Sequence, residues 1–373
     1  MGKRRIKVAF LLHALTGGGA ERVVLRILRR LDRERFLPLL ILIERKGSLI
    51  GDIPPDVPVF DCGRYGGGGP WKWVGNFTRF LKEERPDVLV SFLWFSNAFA
   101  VLGRYLSGTG TRLILSERST VLGSREGMLT EVLRRLAIRF LYGVADRIAV
   151  NSNAMSLQFT GHFGFPPGRV RTIHNPLDTE TIVAQSVAGT AEVTAEGNVG
   201  IIVGMGRFSR EKGFDLLLQA MRRVRAPAKL LLLGEGREEG KLRRLAIETG
   251  VSGKVEFLGF RKNPYPVLRD ATVFVLPSRY EGFPNGLAEA MALGIPCIAT
   301  RCRTGPEELI ADGENGLLVP VEDPDTMAGA IDRLLRDPAL RKRLGTAARI
   351  SVQRFEAGEI IRQYESLIES VAG

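Results

Sequence analysis

The sequence predicts an α/β protein built from two parallel-sheet domains. Apolar strand-like runs alternate with amphipathic helical patterns along nearly the whole chain. The strand-like runs are almost continuously apolar, which is typical of parallel strands buried on both faces. A length of 373 residues exceeds one ordinary domain, and 45% apolar with 25% charged residues is an ordinary globular balance. We therefore expect two doubly wound domains.

The predicted strands form two series. The first series covers residues 6–12, 38–43, 87–93, 112–116 and 147–152. The second series covers residues 199–206, 229–234, 255–259, 272–277 and 295–300. Helical patterns lie between most of these strands, as at 20–31 and 214–224, and from Asp325 onward the chain is predicted to be helical.

A change of composition separates the two series. Residues 179–198 contain no Lys or Arg and are rich in Ala, Thr and Val. This predicts a first domain over residues 1–178 and a second over 179–355, with residues 356–373 as a terminal helix.

Two apolar stretches imitate membrane-targeting segments. The basic start followed by a short apolar run resembles a secretory signal, but His13 interrupts it and a glycine-rich loop follows, so a first strand is the better interpretation. Residues 88–103 carry no charge, yet they are short for a membrane span and contain Ser91, Ser96 and Asn97. Three cysteines without metal-ligand spacing indicate a reducing compartment. We expect a soluble, cytoplasmic protein.

The positive charge is concentrated in the first half. Residues 1–180 contain 27 Lys+Arg and 16 Asp+Glu, a net +11, whereas residues 181–373 contain 26 and 25, a net +1; together these give the +12 of the chain. The first half should therefore meet an anionic partner, and nucleic acid, a membrane surface and a phosphorylated substrate all qualify.

Two glycine-rich loops follow predicted strands. Residues 16–21 read TGGGAE and residues 204–213 read GMGRFSREKG. Backbone N–H groups at such turns favour anions, although neither loop is G-x-G-x-x-G and no Walker motif occurs. In the second loop, Arg207 and Lys212 are spaced to converge on one diphosphate, or else to stay as solvated charges.

The segment 277–300, PSRYEGFPNGLAEAMALGIPCIAT, carries two carboxylates, Glu281 and Glu289. Its first part follows a predicted strand, and ligands of open α/β sheets bind at that end of strands. We predict a helix from Leu287 with Glu289 in its first turn, where the carboxylate can accept both hydroxyls of a ribose. Simple compensation of the helix dipole is the alternative explanation.

In combination these motifs resemble glycosyltransferase family 4, the retaining nucleotide-sugar transferases. The resemblance rests on G-R-F-x-x-E-K-G at 206–213 and E-G-F-P-N-G-L-A-E-A-M-A-L-G-x-P at 281–296. Shorter matches occur in the same order as in the family at 17–21, 173–178, 305–310 and 313–320.

The resemblance implies the GT-B fold: two Rossmann-like doubly wound domains facing a cleft, with the C-terminal helix crossing back to the first domain. In that family the first domain binds the acceptor and the second binds the nucleotide-sugar, expected here to be uridine diphosphate-linked. The implied reaction is retaining transfer of a sugar to a hydroxyl of a glycan or lipid-linked acceptor in surface polysaccharide or glycoconjugate synthesis.

The resemblance also implies roles for the donor site. Arg207 and Lys212 hold the diphosphate, Glu289 the ribose, and Glu281 the transferred sugar. Further candidates for donor contacts are Gly17, Gly18, Arg261, Phe283, Pro284, Asn285, Gly286 and Leu287. No metal and no cofactor are expected, since the two cations face the leaving diphosphate; the D-x-D-like string Asp323-Pro324-Asp325 is interpreted as the start of a helix.

On the acceptor side, 116-SERST-120 and 91-SFLWFSN-97 are similar to sequences in the family subset that extends glycans on lipid carriers. Arg118 is predicted to meet an acceptor phosphate and Glu117 an acceptor hydroxyl, with Asn97 beside them. A salt-bridged strand end is the alternative for this cluster.

Membrane contact is predicted for the basic half. Residues 131–143 interleave Leu and Phe with three arginines, as interfacial helices do, and residues 63–75 carry Trp71 and Trp73 around Lys72. We expect peripheral association with the anionic inner face of the cell membrane; packing of the helix on its own sheet is the alternative.

Two other function classes compete with transfer. A non-catalytic binder of polyanions or nucleic acid would use the basic half, but no nucleic-acid module is recognisable and we expect no nucleic-acid partner. A glycoside hydrolase would use Glu281 and Glu289 as acid and base, but a carboxyl group in a first helical turn makes a poor general acid.

Overall fold

A computed structural model describes residues 4–63, 69–118, 128–188, 199–302 and 304–373. The chain divides into two compact units. The first comprises Met1–Pro176 with Ala357–Gly373, and the second comprises Leu177–Glu356. The predicted boundaries after residues 178 and 355 lie close to these two divisions.

The first unit contains a seven-stranded parallel sheet in the order β3-β2-β1-β4-β5-β6-β7. Its strands are β1 (Ile6–Leu12), β2 (Phe36–Leu42), β3 (Val59–Asp61), β4 (Val88–Phe92), β5 (Arg112–Glu117), β6 (Arg147–Val150) and β7 (Val170–Thr172). The helices between them are α1 (Gly19–Arg30), α2 (Gly69–Glu84), α3 (Trp94–Ser107), α4 (Met128–Gly143) and α5 (Asn153–Leu157).

The second unit contains a six-stranded parallel sheet in the order β10-β9-β8-β11-β12-β13. Its strands are β8 (Gly200–Met205), β9 (Ala228–Leu233), β10 (Val255–Gly259), β11 (Val273–Leu276), β12 (Cys297–Thr300) and β13 (Leu317–Val319). Its helices are α6 (Thr179–Val187), α7 (Phe214–Met221), α8 (Glu239–Glu248), α9 (Tyr265–Arg269), α10 (Asn285–Ala292), α11 (Pro306–Leu309), α12 (Pro324–Arg336) and α13 (Pro338–Ser351).

The last helix, α14 (Ala357–Ala372), returns to the first unit, as the resemblance implied. Its apolar side joins the core on one face of the first sheet. The buried carboxylate of Glu365 accepts the backbone N–H of Asp32 at 2.9 Å and pairs with Arg35 at 3.0 Å. The helix is thus fixed by both apolar and charged contacts.

Both sheets are covered on both faces by apolar clusters, which explains the continuous apolar strands in the sequence. The predicted strands at 6–12 and 87–93 exist as β1 and β4, and α3 follows β4 as expected. Among the described residues, no helix is both long and apolar enough to cross a membrane.

Sequence reasoning missed β3 and β7. Each has three residues and lies at an edge of the first sheet, so neither gives a recognisable apolar run. The segment 179–198, interpreted as the junction, begins instead with α6 of the second unit; residues 189–198 lie outside the described residues.

Candidate functional site

The candidate donor site lies at the carboxyl edge of the second sheet. The strand order reverses at β8, which has β9 on one side and β11 on the other. The loops that follow β8 and β11 carry the two longest sequence motifs. In open α/β sheets such a switch point is where ligands bind.

An ion pair joins these two loops. Lys212 Nζ lies 2.6 Å from Glu281 Oε1, and the Ser278 hydroxyl donates to the same oxygen at 2.7 Å. The Glu281 side chain is only 6% exposed, whereas that of Lys212 is 26% exposed. The carboxylate is therefore held inside the fold, while the Lys212 side chain keeps part of its surface exposed. This brings together two of the predicted catalytic residues.

Backbone contacts bring the loops this close. Gly213 has a φ of +66°, and a Cβ at that position would lie 2.0 Å from the carbonyl oxygen of Pro277. Only glycine combines that conformation with that approach. On the other side of the loop, the Thr304 hydroxyl donates to the backbone carbonyl of Glu281. The position of Glu281 is thus fixed through its carboxylate and its backbone.

Arg207, the third predicted catalytic residue, stands at the start of the β8 loop and is exposed. Burial raises the pKa of nearby Glu211, but hydrogen bonds from Ser209 and the Glu211 backbone, with the charges of Lys212 and Arg207, leave that pKa lowered overall. The Glu211 carboxylate is therefore kept ionised mainly by hydrogen bonds, to which the two neighbouring cations add.

Glu289 is buried, but it does not lie where we predicted. Helix α10 begins at Asn285 rather than Leu287, so Glu289 is the fifth helical residue and lies beyond the first turn. The alternative explanation, that Glu289 compensates the helix dipole, becomes weaker at this position, because the effect of the dipole falls off within the first turn. Its 6% exposure means that the carboxylate lies largely within the fold.

The remaining donor candidates divide by burial. Phe283 and Leu287 belong to the apolar core of the second unit, and Phe283 packs edge-on against Phe355 at 5.2 Å. Pro284 is buried, and Asn285 and Gly286 are half-buried at the helix start. Of this segment, the residues with exposed surface are thus Asn285 and Gly286 at the start of α10. Arg261, half-buried, follows β10.

In the first glycine-rich loop, the backbone N–H groups already donate to a side chain of the helix that follows. The Glu21 carboxylate accepts the N–H groups of Gly17 at 2.7 Å and Gly18 at 3.2 Å, and the Thr16 hydroxyl at 3.1 Å. These are the donors that we predicted for an anionic ligand. Because a carboxylate three residues into α1 already accepts them, an anion would have to displace Glu21.

In the first unit, Glu117 and Asn97 lie inside the fold with no exposed surface. The Tyr142 hydroxyl donates to Glu117 Oε2 at 2.5 Å and accepts from Asn97 Nδ2 at 3.0 Å. Burial, together with the charge of Glu117, raises the pKa of Tyr142. This arrangement differs from the predicted direct contact with an acceptor, since both side chains support strand β5 and helix α4 from within.

Arg118 is buried with its guanidinium between two rings. Its carbon lies 5.3 Å from the ring centre of Phe92 and 5.6 Å from that of Tyr364. Nε donates to Ser116 at 3.0 Å and Nη1 donates to Asn175, while Nη2 has no hydrogen-bond partner among the described residues. Burial lowers the pKa of Arg118 to about 9, partly offset by the charge of Glu117. Within the described residues, Arg118 thus contacts a hydroxyl, an amide and two aromatic rings, and the salt-bridged strand end stays a prediction.

The D-x-D-like string is a helix cap, as interpreted from the sequence. The Asp323 carboxylate accepts the backbone N–H of Thr326 at 2.9 Å and its hydroxyl at 2.6 Å, and Asp325 pairs with Arg223 at 2.5 Å. Within the described ranges, no group of three or more His, Cys, Asp or Glu side chains is arranged to hold a metal ion.

Sequence reasoning missed three residues that hold this site together: Ser278, Thr304 and Arg279. Ser278 stands two positions beyond β11, a place that strand prediction could have marked. Thr304 and Arg279 act through partners distant in sequence, such as Asp215 for Arg279. No local pattern signals those contacts.

Family models match most of the chain. The model for Glycosyltransferase Family 4 matches residues 17–181, and that for Glycosyl transferases group 1 matches residues 190–351. Each model therefore covers the greater part of one of the two units.

Relatives and solved structures agree with these models. An N-acetylgalactosamine-N,N'-diacetylbacillosaminyl-diphospho-undecaprenol 4-alpha-N-acetylgalactosaminyltransferase from Campylobacter jejuni is 28% identical over 95% of this chain and 97% of its own. The lipopolysaccharide core biosynthesis glycosyltransferase LpsE of Rhizobium meliloti is 35% identical over 54% of this chain and 58% of its own.

Among solved structures, Anabaena HepE in complex with UDP and glucose aligns with a TM-score of 0.81 at 21% identity, covering 98% of this chain and 100% of that one. The outer core galactosyltransferase WaaB aligns at 0.73 with 21% identity, covering 98% and 99%. The fold is thus GT-B, and the chain belongs to the family 4 type of glycosyltransferases.

Proposed function

We propose that this glycosyltransferase moves a sugar from a uridine diphosphate donor, bound by the second unit, to a hydroxyl of a glycan on a lipid-linked acceptor, bound by the first. The observation that carries the donor assignment is the Lys212–Glu281 pair at the switch point of the second sheet, with Arg207 exposed on the same loop. A partly exposed lysine side chain whose ammonium group is held by a buried carboxylate suits a leaving diphosphate.

The names of similar proteins support the two substrates. The Campylobacter relative is named for an undecaprenyl diphosphate-linked acceptor, and the HepE structure holds UDP and glucose. Lipopolysaccharide assembly recurs among the relatives, including a 1,6-galactosyltransferase of Salmonella typhimurium that is 26% identical over 71% of this chain.

The proposed chemistry is retaining and independent of metal. The bond between the sugar C1 and the diphosphate oxygen breaks, and the acceptor oxygen bonds to C1 on the face that the diphosphate leaves. A donor phosphate oxygen takes the acceptor proton. Lys212 and Arg207 stabilise the negative charge that develops on the diphosphate, the task that a metal ion performs in other transferases.

A donor panel tests the proposal. Nucleotide-sugars with different bases are added to the wild-type chain and its thermal unfolding is followed; a ligand at 100 times its Kd adds about 2.7 kcal/mol to the free energy of unfolding. We expect uridine diphosphate sugars alone to raise the unfolding temperature. NMR of the product then reports the configuration at C1. Inversion at C1, or stabilisation by none of the donors, would contradict the proposal.

Attachment of the first unit to an anionic membrane is part of the proposal. Helix α4 buries Ile138, Leu141 and Tyr142 toward its sheet, yet Leu133 and Leu136 are each 58% exposed and Phe140 is 79% exposed. These three lie at i, i+3 and i+7 on one side of the helix. The alternative that the helix merely packs on its own sheet therefore accounts for only one of its sides.

Helix α3 carries a similar exposed side, and the two helices pack together, with Trp94 stacked on Tyr142. We call the combined surface the apolar face; its members are Leu102, Tyr105, Leu106, Leu133, Leu136 and Phe140. Arg135 and Arg139 are exposed on the same helix, and the net charge of residues 1–180 is +11. Apolar side chains among cations match an anionic lipid surface.

The two tryptophans of residues 63–75 lie in helix α2. Trp71 is 79% exposed, but Trp73 is half-buried and packs on the core; residues 64–68 lie outside the described residues.

Sedimentation with vesicles tests membrane attachment. We expect binding to vesicles containing phosphatidylglycerol, loss of binding at high salt, and at least a fivefold weaker interaction for Phe140→Asp. The matched control is Ile247→Asp, which removes a side chain that is 69% exposed on the second unit. Equal binding to neutral vesicles, or equal loss in both variants, would contradict attachment through the apolar face.

A further inference from the structure

Arg279 uses every one of its N–H donors inside the second unit. Nε donates to Glu322 at 2.5 Å, Nη1 donates to the Arg210 carbonyl at 2.8 Å and to Asp215 at 2.7 Å, and Nη2 donates to Asp215 at 2.7 Å and to Glu322 at 3.2 Å. A guanidinium group has five such donors, and all are occupied. The side chain is only 12% exposed.

The backbone of Arg279 makes a further link. Its N–H donates to the carbonyl of Glu211 at 2.8 Å. Arg279 therefore contacts the β8 loop at residues 210 and 211, just before Lys212, and the first turn of α7 at Asp215, just after it. Hydrogen bonding to Asp215 raises the pKa of Arg279, so the cation is permanent.

We propose that Arg279 is a positioning residue: it holds Lys212 where its ammonium group can contact the donor diphosphate. This inference rests on the proposed donor site. Lysine has a long flexible side chain whose orientation depends on where its backbone is held. Arg279 holds the backbone carbonyls of Arg210 and Glu211 before Lys212 and the carboxylate of Asp215 after it. The ammonium group of Lys212 pairs with Glu281, two residues beyond Arg279 in the chain.

A direct role in binding the donor does not fit Arg279. A phosphate would have to replace one of the two carboxylates or the Arg210 carbonyl, since no donor is left over. Asp215 forms a bidentate pair with it, the geometry that arginine and carboxylate match best. Position 279 therefore requires the planar guanidinium group of arginine. A lysine at this position would keep the positive charge but lose most of the hydrogen bonds.

A double-mutant cycle tests this coupling. We expect Arg279→Lys to lower kcat/KM for the donor by at least tenfold in the wild-type background, but by less than threefold when Lys212→Ala is already present, because Arg279 acts through Lys212. The matched control is Arg243→Lys, which alters an exposed arginine bound to Glu239 in the same unit; it should change kcat/KM by less than twofold. Equal fold losses in both backgrounds would make Arg279 merely structural and overturn the inference.

A second readout does not depend on transfer. Lysine side chains are labelled as 13C-dimethyl groups, and the Lys212 resonance is identified by its loss in Lys212→Arg. We expect Arg279→Lys and Asp215→Asn to move this resonance toward those of solvent-exposed lysines, while Arg243→Lys leaves it in place. An unmoved resonance would overturn the inference even in a fully active enzyme. If the wild type transfers no sugar but the resonance moves, the proposed function fails and the positioning role stands.

Discussion

The carboxyl edges of the two parallel sheets are built in opposite ways. At the edge of the second sheet, the cations keep exposed surface: Lys212, which pairs with Glu281, is 26% exposed, and Arg207 is exposed. At the edge of the first sheet, the polar side chains of Asn97 and Glu117 have no exposed surface, and Arg118 is 8% exposed. Both sheets have Rossmann-like topology, so the fold alone does not decide what each edge binds.

The difference suggests a division of labour. The second edge presents fixed cations, which suits a soluble, highly charged donor. The first edge buries its polar groups, while its neighbouring helices expose the apolar face, which suits an acceptor anchored in lipid. Inside this edge, Nη2 of Arg118 has no hydrogen-bond partner in the part of the chain that the structure describes. The lowered pKa of Arg118 reflects the cost of burying its positive charge. An acceptor phosphate, the ligand predicted for Arg118, would compensate that charge.

The largest effect is expected for Lys212→Ala. Removing one preorganised group that stabilises developing charge costs about 10² to 10³ in kcat, and steady-state kinetics with a uridine diphosphate sugar measure the loss. Arg207→Ala, which removes a more exposed cation, is expected to lose more than about tenfold. Lys229→Ala is the control, because Lys229 pairs with Glu256 near the opposite end of strand β9. If Lys212→Ala were as active as this control, the edge of the second sheet could not be assigned to the donor diphosphate.

The next effect separates the two carboxylates of the second edge. We expect Glu289→Ala to raise the donor KM, because ribose contacts persist through the reaction. Glu281→Ala should mainly lower kcat, because it frees Lys212 and loses contact with a sugar whose ring flattens in the transition state. An unchanged donor KM in Glu289→Ala would contradict its assignment to the ribose.

A smaller effect, on stability rather than turnover, is expected at the first edge. Tyr142→Phe removes a donor from buried Glu117 and an acceptor from Asn97, so the free energy of unfolding should fall by about 1–3 kcal/mol. The donor KM should stay unchanged. Denaturant titration measures the loss, and Tyr105→Phe, at a residue 81% exposed, serves as the control. A raised donor KM in Tyr142→Phe would mean that the two edges are not independent.

No effect is expected from metal removal. Transfer in the presence of EDTA should equal transfer with added magnesium if, as we propose, Arg207 and Lys212 stabilise the charge on the leaving diphosphate. Strict dependence on magnesium or manganese would require a metal site that includes residues other than the cap at Asp323.

The sequence allowed good prediction of the fold because its signals are local. Continuous apolar runs placed the central strands of both sheets, and the motif at 206–213 marked the loop that carries Lys212. The three-residue edge strands β3 and β7 were missed, because they are too short to show a pattern.

The site was predictable in its residue types but less so in its contacts. The pairing of Lys212 with Glu281 joins residues 69 positions apart, and that of Arg279 with Asp215 joins residues 64 positions apart, so only the folded sheet brings them together. The start of α10 was placed too late, because Pro284 caps a helix whose first residues, Asn285 and Gly286, are weak helix formers. Burial of Glu117 and Asn97 depends on Tyr142, which no local pattern connects to them.

The most direct test of the account compares UDP with uridine as ligands. Titration calorimetry gives the Kd of each for the wild type and for Lys212→Met, which keeps an unbranched side chain one atom shorter and removes the charge. If Lys212 holds the diphosphate, UDP should bind the variant at least tenfold more weakly while uridine binds both proteins alike. Equal UDP affinity for the two proteins, or a parallel loss for uridine, would contradict the assignment of the diphosphate to this edge of the second sheet.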